Sequence, residues 1–134
     1  MFLPSYECVL CSTGVSESAT HLFFQCPFAQ ACWNFLDLTV PVNCSLNEAL
    51  ESFKASLNVP FFMELIIIMS WSIWLSRNDL IFRGTNASLA SCLTTFVELV
   101  SLNLLRAKAS LALVLSLWLE QFKSQLVPLG LSFS

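Results

Sequence analysis

The feature that most constrains this chain is a short cluster of metal-ligand residues near its N-terminus. Cys8, Cys11, His21 and Cys26 follow the spacing C-x2-C-x9-H-x4-C, and His21 is the only histidine in the sequence. Zn²⁺ favours a closed tetrahedral shell of thiolate and imidazole ligands, and three cysteines with one histidine supply such a shell. The spacing predicts one structural zinc ion bound by these four residues, hereafter the Cys3His cluster. The alternative is a set of buried apolar cysteines and a core histidine that bind no metal.

Helical signals run through the rest of the chain and predict an all-α fold. We expect four or five helices. An N-terminal Cys3His zinc knuckle should hold the first helices together. The predicted helices cover residues 17–25, 28–38, 45–56 and 61–82, and a region from 86 or 88 to about 125 that breaks near Asn103. Ser16 or Ser18 can cap the first helix, and Ser45 with Glu48 predicts a capping box on the third. Gly84 suits the end of the fourth.

Cys26 and Pro27 form a boundary with a consequence for the metal ligands. Proline suits the first turn of a helix, so Cys26 is predicted to lie at the N-cap of the helix that follows. The positive end of the helix dipole favours a thiolate there, which is the form that binds metal. The other cysteines, Cys32, Cys44 and Cys92, have no ligand-like spacing and are expected in the core.

Two tryptophans mark the long apolar segment 61–82. Because this segment is apolar on most sides through Trp74, we expect a central helix enclosed by others, with Trp71 and Trp74 as core anchors. The alternative is a recognition face on which Arg77 stacks. A membrane span is a weaker interpretation of residues 60–76 and of 96–119, because charged residues interrupt or bound both.

Two motifs in the same order resemble a known family. Residues 17–29, ESATHLFFQCPFA, are followed by Trp33, and residues 71–84 read WSIWLSRNDLIFRG. Together they resemble the reverse transcriptase zinc-binding domain of plant non-LTR (LINE-type) retroelements. The resemblance covers roughly residues 6–84. It implies a zinc-binding module in residues 1–84, and we expect residues 85–134 to form an apolar helical extension packed on it.

The resemblance also has missing parts. In that family the module lies downstream of a polymerase and often upstream of a ribonuclease H domain, and its N-terminal half carries a further Trp- and Lys-containing segment. The paired aspartates of the polymerase do not occur, since Asp37 and Asp79 are the only aspartates. We therefore expect a truncated, retroelement-derived fragment that is not an enzyme. If His21 binds metal, no histidine remains for Ser–His or Cys–His catalysis.

Composition bears on partners and location. Charged residues make up 11% of the chain against 56% hydrophobic residues. Because soluble domains usually carry about 25% charged residues, we expect exposed apolar surface that a protein partner covers. The net charge is −3 with six basic residues, so nucleic acid should bind weakly if at all. The N-terminus lacks the pattern of a secretory signal, so an intracellular protein of the nucleus or cytoplasm is expected.

Overall fold

A computed structural model describes residues 8–11, 18–40, 45–84 and 88–131 of the chain. Five α-helices span Pro27–Asn34 (α1), Leu46–Leu57 (α2), Phe62–Arg83 (α3), Leu89–Leu104 (α4) and Ala109–Leu126 (α5). A π-helical turn, His21–Gln25, precedes α1, and a 3-10 turn, Val127–Leu129, follows α5. No strand occurs in the described ranges. The prediction of an all-α fold with four or five helices is confirmed, with five α-helices in the described residues.

Local signals account for several helix ends. Ser45 Oγ accepts a hydrogen bond from the Glu48 backbone N–H, and the Glu48 carboxylate accepts one from Ser45 N–H, each at 3.2 Å. This is the predicted capping box at the start of α2. Ser88 caps α4 by accepting from Ser91 N–H at 3.0 Å. At the end of α3, Gly84 adopts φ +66°, the left-handed conformation that glycine reaches without the penalty of a Cβ.

Helix α1 ends earlier than the hydrophobic pattern predicts. It stops at Asn34 rather than Leu38 because Asp37 adopts a left-handed φ of 58°. The Leu38 N–H donates to the Trp33 carbonyl and the Asp37 N–H to the Asn34 carbonyl, both at 3.0 Å. These two bonds define a Schellman motif, which satisfies the last carbonyls of a helix. Leu38 is thereby turned into the core, where it is fully buried.

Two aromatic groups organise the core. The first joins the π-helical turn to α1 and α2: the rings of Trp33 and Phe53 lie 4.9 Å apart, and Phe24 stacks on Trp33 at 6.1 Å. The second joins α4 to α5, where Phe96 and Phe122 lie 5.3 Å apart. Helix α3 packs on α1, α2 and α4, so it connects the two groups.

The predicted fifth helical region is two helices. Helix α4 ends at Leu104 and α5 begins at Ala109, so the break lies slightly beyond the predicted position near Asn103. Residues 96–119 therefore do not form one helix of spanning length. Helix α3 is long and apolar enough to cross a membrane by length and composition. Of its most apolar 18-residue stretch, 33% is buried inside the protein. The predicted division of the chain into 1–84 and 85–134 stays a prediction.

Candidate metal centre

The Cys3His cluster comes together between the bend at residues 8–11 and the start of α1. One ligand atom from each of Cys8, Cys11, His21 and Cys26 lies within 4.8 Å of the others. Cys8, His21 and Cys26 are buried, and Cys11 is half-buried. The structure thus brings all four predicted ligands together, and metal binding by them stays a prediction. Ser16, one of the two predicted caps of the first helix, lies outside the described residues.

The π-helical turn is what unites His21 with Cys26. The Cys26 N–H donates to the His21 carbonyl at 2.6 Å, a hydrogen bond across five residues. Such a bond defines a π turn, and isolated π turns are frequent at functional sites. The H-x4-C spacing matches that bond, so one widened turn carries both ligands. The sequence pattern predicts an ordinary helix here and misses this feature.

Side chains from nearby elements hold the π-helical turn. Ser18 Oγ accepts from the His21 N–H at 3.1 Å, which confirms one of the two predicted caps. The Trp33 indole N–H donates to the Phe23 carbonyl at 2.7 Å, and the Gln30 amide donates to the Phe24 carbonyl at 3.4 Å. Trp33 and Gln30 are positioning residues that the ligand spacing does not reveal, although Trp33 belongs to the family-like motif.

Two distances within the cluster match the edges expected around a tetrahedral ion. Ligands about 2.3 Å from zinc for sulfur and 2.0–2.1 Å for nitrogen give tetrahedron edges of about 3.8 Å between two sulfurs and about 3.5 Å between sulfur and nitrogen. The Sγ atoms of Cys8 and Cys26 are 3.8 Å apart. Cys11 Sγ lies 3.4 Å from His21 Nε2. The donor set and both edges therefore fit one four-coordinate ion, with every position filled by protein.

Burial dominates the electrostatics of the thiols. It raises the pKa of Cys26 to about 12 and also raises the pKa of Cys8. The backbone N–H groups of Phe28 and Ala29 oppose this at Cys26, because that residue does occupy the N-cap of α1. The predicted effect of the helix start is present, but burial outweighs it. A bound cation reverses the balance, since a coordinating thiol is deprotonated outright.

The expected enclosure of α3 is wrong at one face. Trp71 is 51% exposed and Ile67 is 59% exposed, while Trp74 is half-buried. Beside them lies an apolar groove of about 570 Å³ between α2, α3 and the π-helical turn, whose lining includes Leu46, Leu50, Met63, Ile67, Trp71 and Trp74. The described chain packs no further helix over this face. These exposed apolar residues form a candidate partner surface, hereafter the α3 groove.

Arg77 lies next to the α3 groove. Its guanidinium stacks over the Trp74 ring at 4.7 Å and donates to the Asn78 side-chain oxygen at 3.1 Å. The stacked arginine belongs to the interpretation that the sequence argument ranked second. The core placement of Cys32 and Cys92 is confirmed, since both are fully buried, and Cys44 lies outside the described residues.

Comparisons with known proteins identify no relative. No protein-family model, no curated protein and no solved structure matches the chain. The fold and the site together describe a small helical protein with a Cys3His cluster that could hold one metal ion.

Proposed function

We propose that the chain is a non-catalytic zinc-binding module, in which the Cys3His cluster holds one structural Zn²⁺. The observation that carries this proposal is the convergence of the four ligand atoms within 4.8 Å. Four protein ligands leave no open coordination position, which is the arrangement of structural rather than catalytic zinc sites. The bound ion would tie the bend at residues 8–11 to the π-helical turn and to the start of α1.

The origin of the module is part of the proposal. The family-like residues at 17–33 surround the Cys3His cluster and include Trp33, which supports the π-helical turn. The second family-like segment, 71–84, forms the C-terminal half of α3. Both placements give the resembling residues physical roles. They support an origin in the zinc-binding region of a plant retroelement reverse transcriptase. A location inside the cell and the lack of an enzymatic role are part of the same proposal.

Metal content is the direct test. The protein, purified without added metal, should contain about one zinc per chain by elemental analysis, and a chelator should remove it with loss of helical signal. Cys11→Ala should abolish stoichiometric zinc, whereas Cys92→Ala, which removes a thiol outside the cluster, should keep it. A chain that carries no zinc and keeps its fold in chelator would refute the proposal.

A second candidate function follows from the α3 groove. In this alternative the protein binds no metal and uses the groove to cover an apolar segment of a protein partner. The exposed Ile67 and Trp71 support it, because exposed apolar patches of this kind mark interaction sites. The few scattered basic residues give no comparable support for nucleic acid. An electrophoretic shift assay at physiological salt should show weak binding at most, and sub-micromolar binding with a steep salt dependence would contradict this.

A further inference from the structure

Cys32 and Cys92 are two cysteines that the proposed metal site does not use. Cys32 lies on α1 and Cys92 on α4, 60 residues apart in sequence, yet their Sγ atoms are 3.6 Å apart. Both side chains are fully buried. A disulfide has an S–S length of about 2.05 Å, so the two sulfurs need to approach by about 1.5 Å. Closing this gap requires rotation of the two side chains and a small shift of α1 against α4.

We propose that Cys32 and Cys92 form an oxidation-sensitive thiol pair, which a peroxide converts into a disulfide that locks α1 onto α4. The lock joins the helix that begins at the metal ligand Cys26 to the helical region after residue 84. The disulfide would fix the contact between α1 and α4. It would therefore keep the start of α1, next to Cys26, attached to α4 when the rest of the fold opens. Neither cysteine belongs to the Cys3His cluster, so the oxidation uses no proposed metal ligand.

The hydrogen bond between the thiols indicates which sulfur reacts first. The Cys32 thiol donates to the Cys92 sulfur, which raises the pKa of Cys32 and lowers the pKa of Cys92, while burial opposes the thiolate form of both. Cys92 is therefore the better thiolate, and the thiolate is the nucleophile in thiol oxidation. The Cys32 sulfur, 3.6 Å away, is placed to attack the oxidised Cys92 sulfur and so resolve the product.

The reaction balances with hydrogen peroxide as the oxidant. The Cys92 thiolate attacks one peroxide oxygen, the O–O bond breaks, and the departing hydroxide takes the proton released from Cys92 to become water. The Cys92 sulfenic acid is then attacked by the Cys32 sulfur: the S–S bond forms, the S–O bond breaks, and the hydroxyl leaves with the Cys32 proton as a second water. Two thiols are oxidised and one peroxide is reduced. Because both sulfurs are buried, the peroxide reaches them through local opening of the helix contact.

Peptide mapping tests the pair independently of the metal. Trypsin cleaves after Arg83 and Arg106, and the fragment 84–106 contains Cys92 as its only cysteine. After peroxide treatment of the full chain and digestion without reductant, this fragment should be linked to fragment 1–54, which contains Cys32, with the loss of two hydrogen atoms. The link should be absent in Cys32→Ala and in Cys92→Ala and present in the matched control Cys44→Ala. Far-UV circular dichroism should show that each variant remains helical.

Stability gives a second readout. A disulfide across a separation of 60 residues restricts the unfolded chain, so the oxidised parent should melt higher than the reduced parent by on the order of 10 °C. The shift should disappear in Cys92→Ala. A fragment 84–106 that stays unlinked at peroxide levels that oxidise other thiols would overturn the proposal. A link that persists in helical Cys32→Ala would also overturn it, because Cys92 would then have a different partner.

Discussion

The indole N–H of Trp33 donates to the carbonyl of Phe23 at 2.7 Å, and this bond connects the aromatic core to the π-helical turn. That turn carries His21 at its start and ends next to Cys26. Trp33 itself is fully buried and packs on Phe53 of α2. The geometry of two residues of the Cys3His cluster is therefore set by a side chain from the core, and the packing of α2 contributes to the cluster through Trp33.

Trp33→Phe should weaken metal binding more than it disturbs the fold. Phenylalanine keeps much of the ring packing but cannot donate to the Phe23 carbonyl, so the π-helical turn loses a stabilising hydrogen bond. Removing such outer partners typically costs about 10–100-fold in metal affinity. Zinc affinity can be measured by competition with a chelating dye. Trp118→Phe, in the second aromatic group, is the matched control and should keep the parent's affinity. Equal affinities for all three proteins would show that the bond plays no part in the site.

Zinc binding should survive the replacement of His21 by another metal-binding residue, but not its replacement by alanine. His21→Ala removes the fourth ligand from the Cys3His cluster, and we expect zinc content to fall well below one per chain. His21→Cys restores a four-ligand set of a kind common in structural zinc sites and should recover binding. The zinc content of the two variants, measured by elemental analysis, tests both expectations. Full zinc occupancy in His21→Ala would mean that the imidazole is not a ligand.

The pH dependence of stability should differ in sign between metal-free and zinc-loaded protein. In the metal-free chain, burial raises the pKa of Cys26 from 9.0 to about 12, so the folded state holds its proton more tightly than the unfolded state. Its contribution to stability is complete below about pH 9 and is lost as pH rises towards 12. In the zinc-loaded chain the folded thiolates carry no protons, whereas unfolded thiols do.

Zinc-loaded protein should therefore gain stability as pH rises from mildly acidic values towards about 9, because protons compete with the metal for the ligands. Urea midpoints measured across this range, with bound zinc and after chelator treatment, test both slopes. The metal-free midpoint should respond little to the thiols below pH 9 and decline above it. Parallel curves for the two samples would contradict metal binding by these thiols.

Local sequence chemistry predicts much of this fold. The capping box at Ser45, the helix start at Pro27 and the helix end at Gly84 are all found, because each depends on a few neighbouring residues. The four residues that converge in the Cys3His cluster are also predicted from the sequence, because their spacing is a local feature. The π-helical turn and the Schellman motif at Asp37 are missed, because each depends on where the core places Trp33 and Leu38. Hydrophobic periodicity describes single helices, so it cannot predict features that depend on packing between them.

Ser45→Ala should lower stability by about 1 kcal/mol, because it leaves the Glu48 N–H at the start of α2 without its side-chain acceptor. The bond is exposed, so water compensates part of the loss and the cost stays near that value. Ser56→Ala, at an exposed position inside the same helix, is the control and should be neutral or slightly stabilising, since alanine favours helix. Urea unfolding of the three proteins measures both changes. A cost at Ser56 that equals the cost at Ser45 would exclude the cap as the cause.

The exposed side of α3 is where the sequence argument fails, and it supplies the last prediction. Periodicity shows that α3 is apolar on most sides through Trp74, but whether each side is covered depends on how many helices the chain can place around it. In the described fold α1, α2 and α4 cover the other sides, and Trp71 stays 51% exposed. Trp71→Ala should therefore cost less than about 1 kcal/mol, against about 3–5 kcal/mol for truncating an enclosed aromatic.

Phe53→Ala is the matched comparison, because Phe53 is fully buried against Trp33. Urea unfolding at micromolar concentration should give a midpoint near the parent's for Trp71→Ala and a much lower one for Phe53→Ala. Trp71→Ala should also bind less of a hydrophobic dye, since it removes much of the apolar surface at the edge of the α3 groove. If Trp71→Ala were as destabilising as Phe53→Ala, the ring would be enclosed in solution. Some part of this chain or a second copy would then cover α3, and the groove would not be a surface for a different partner.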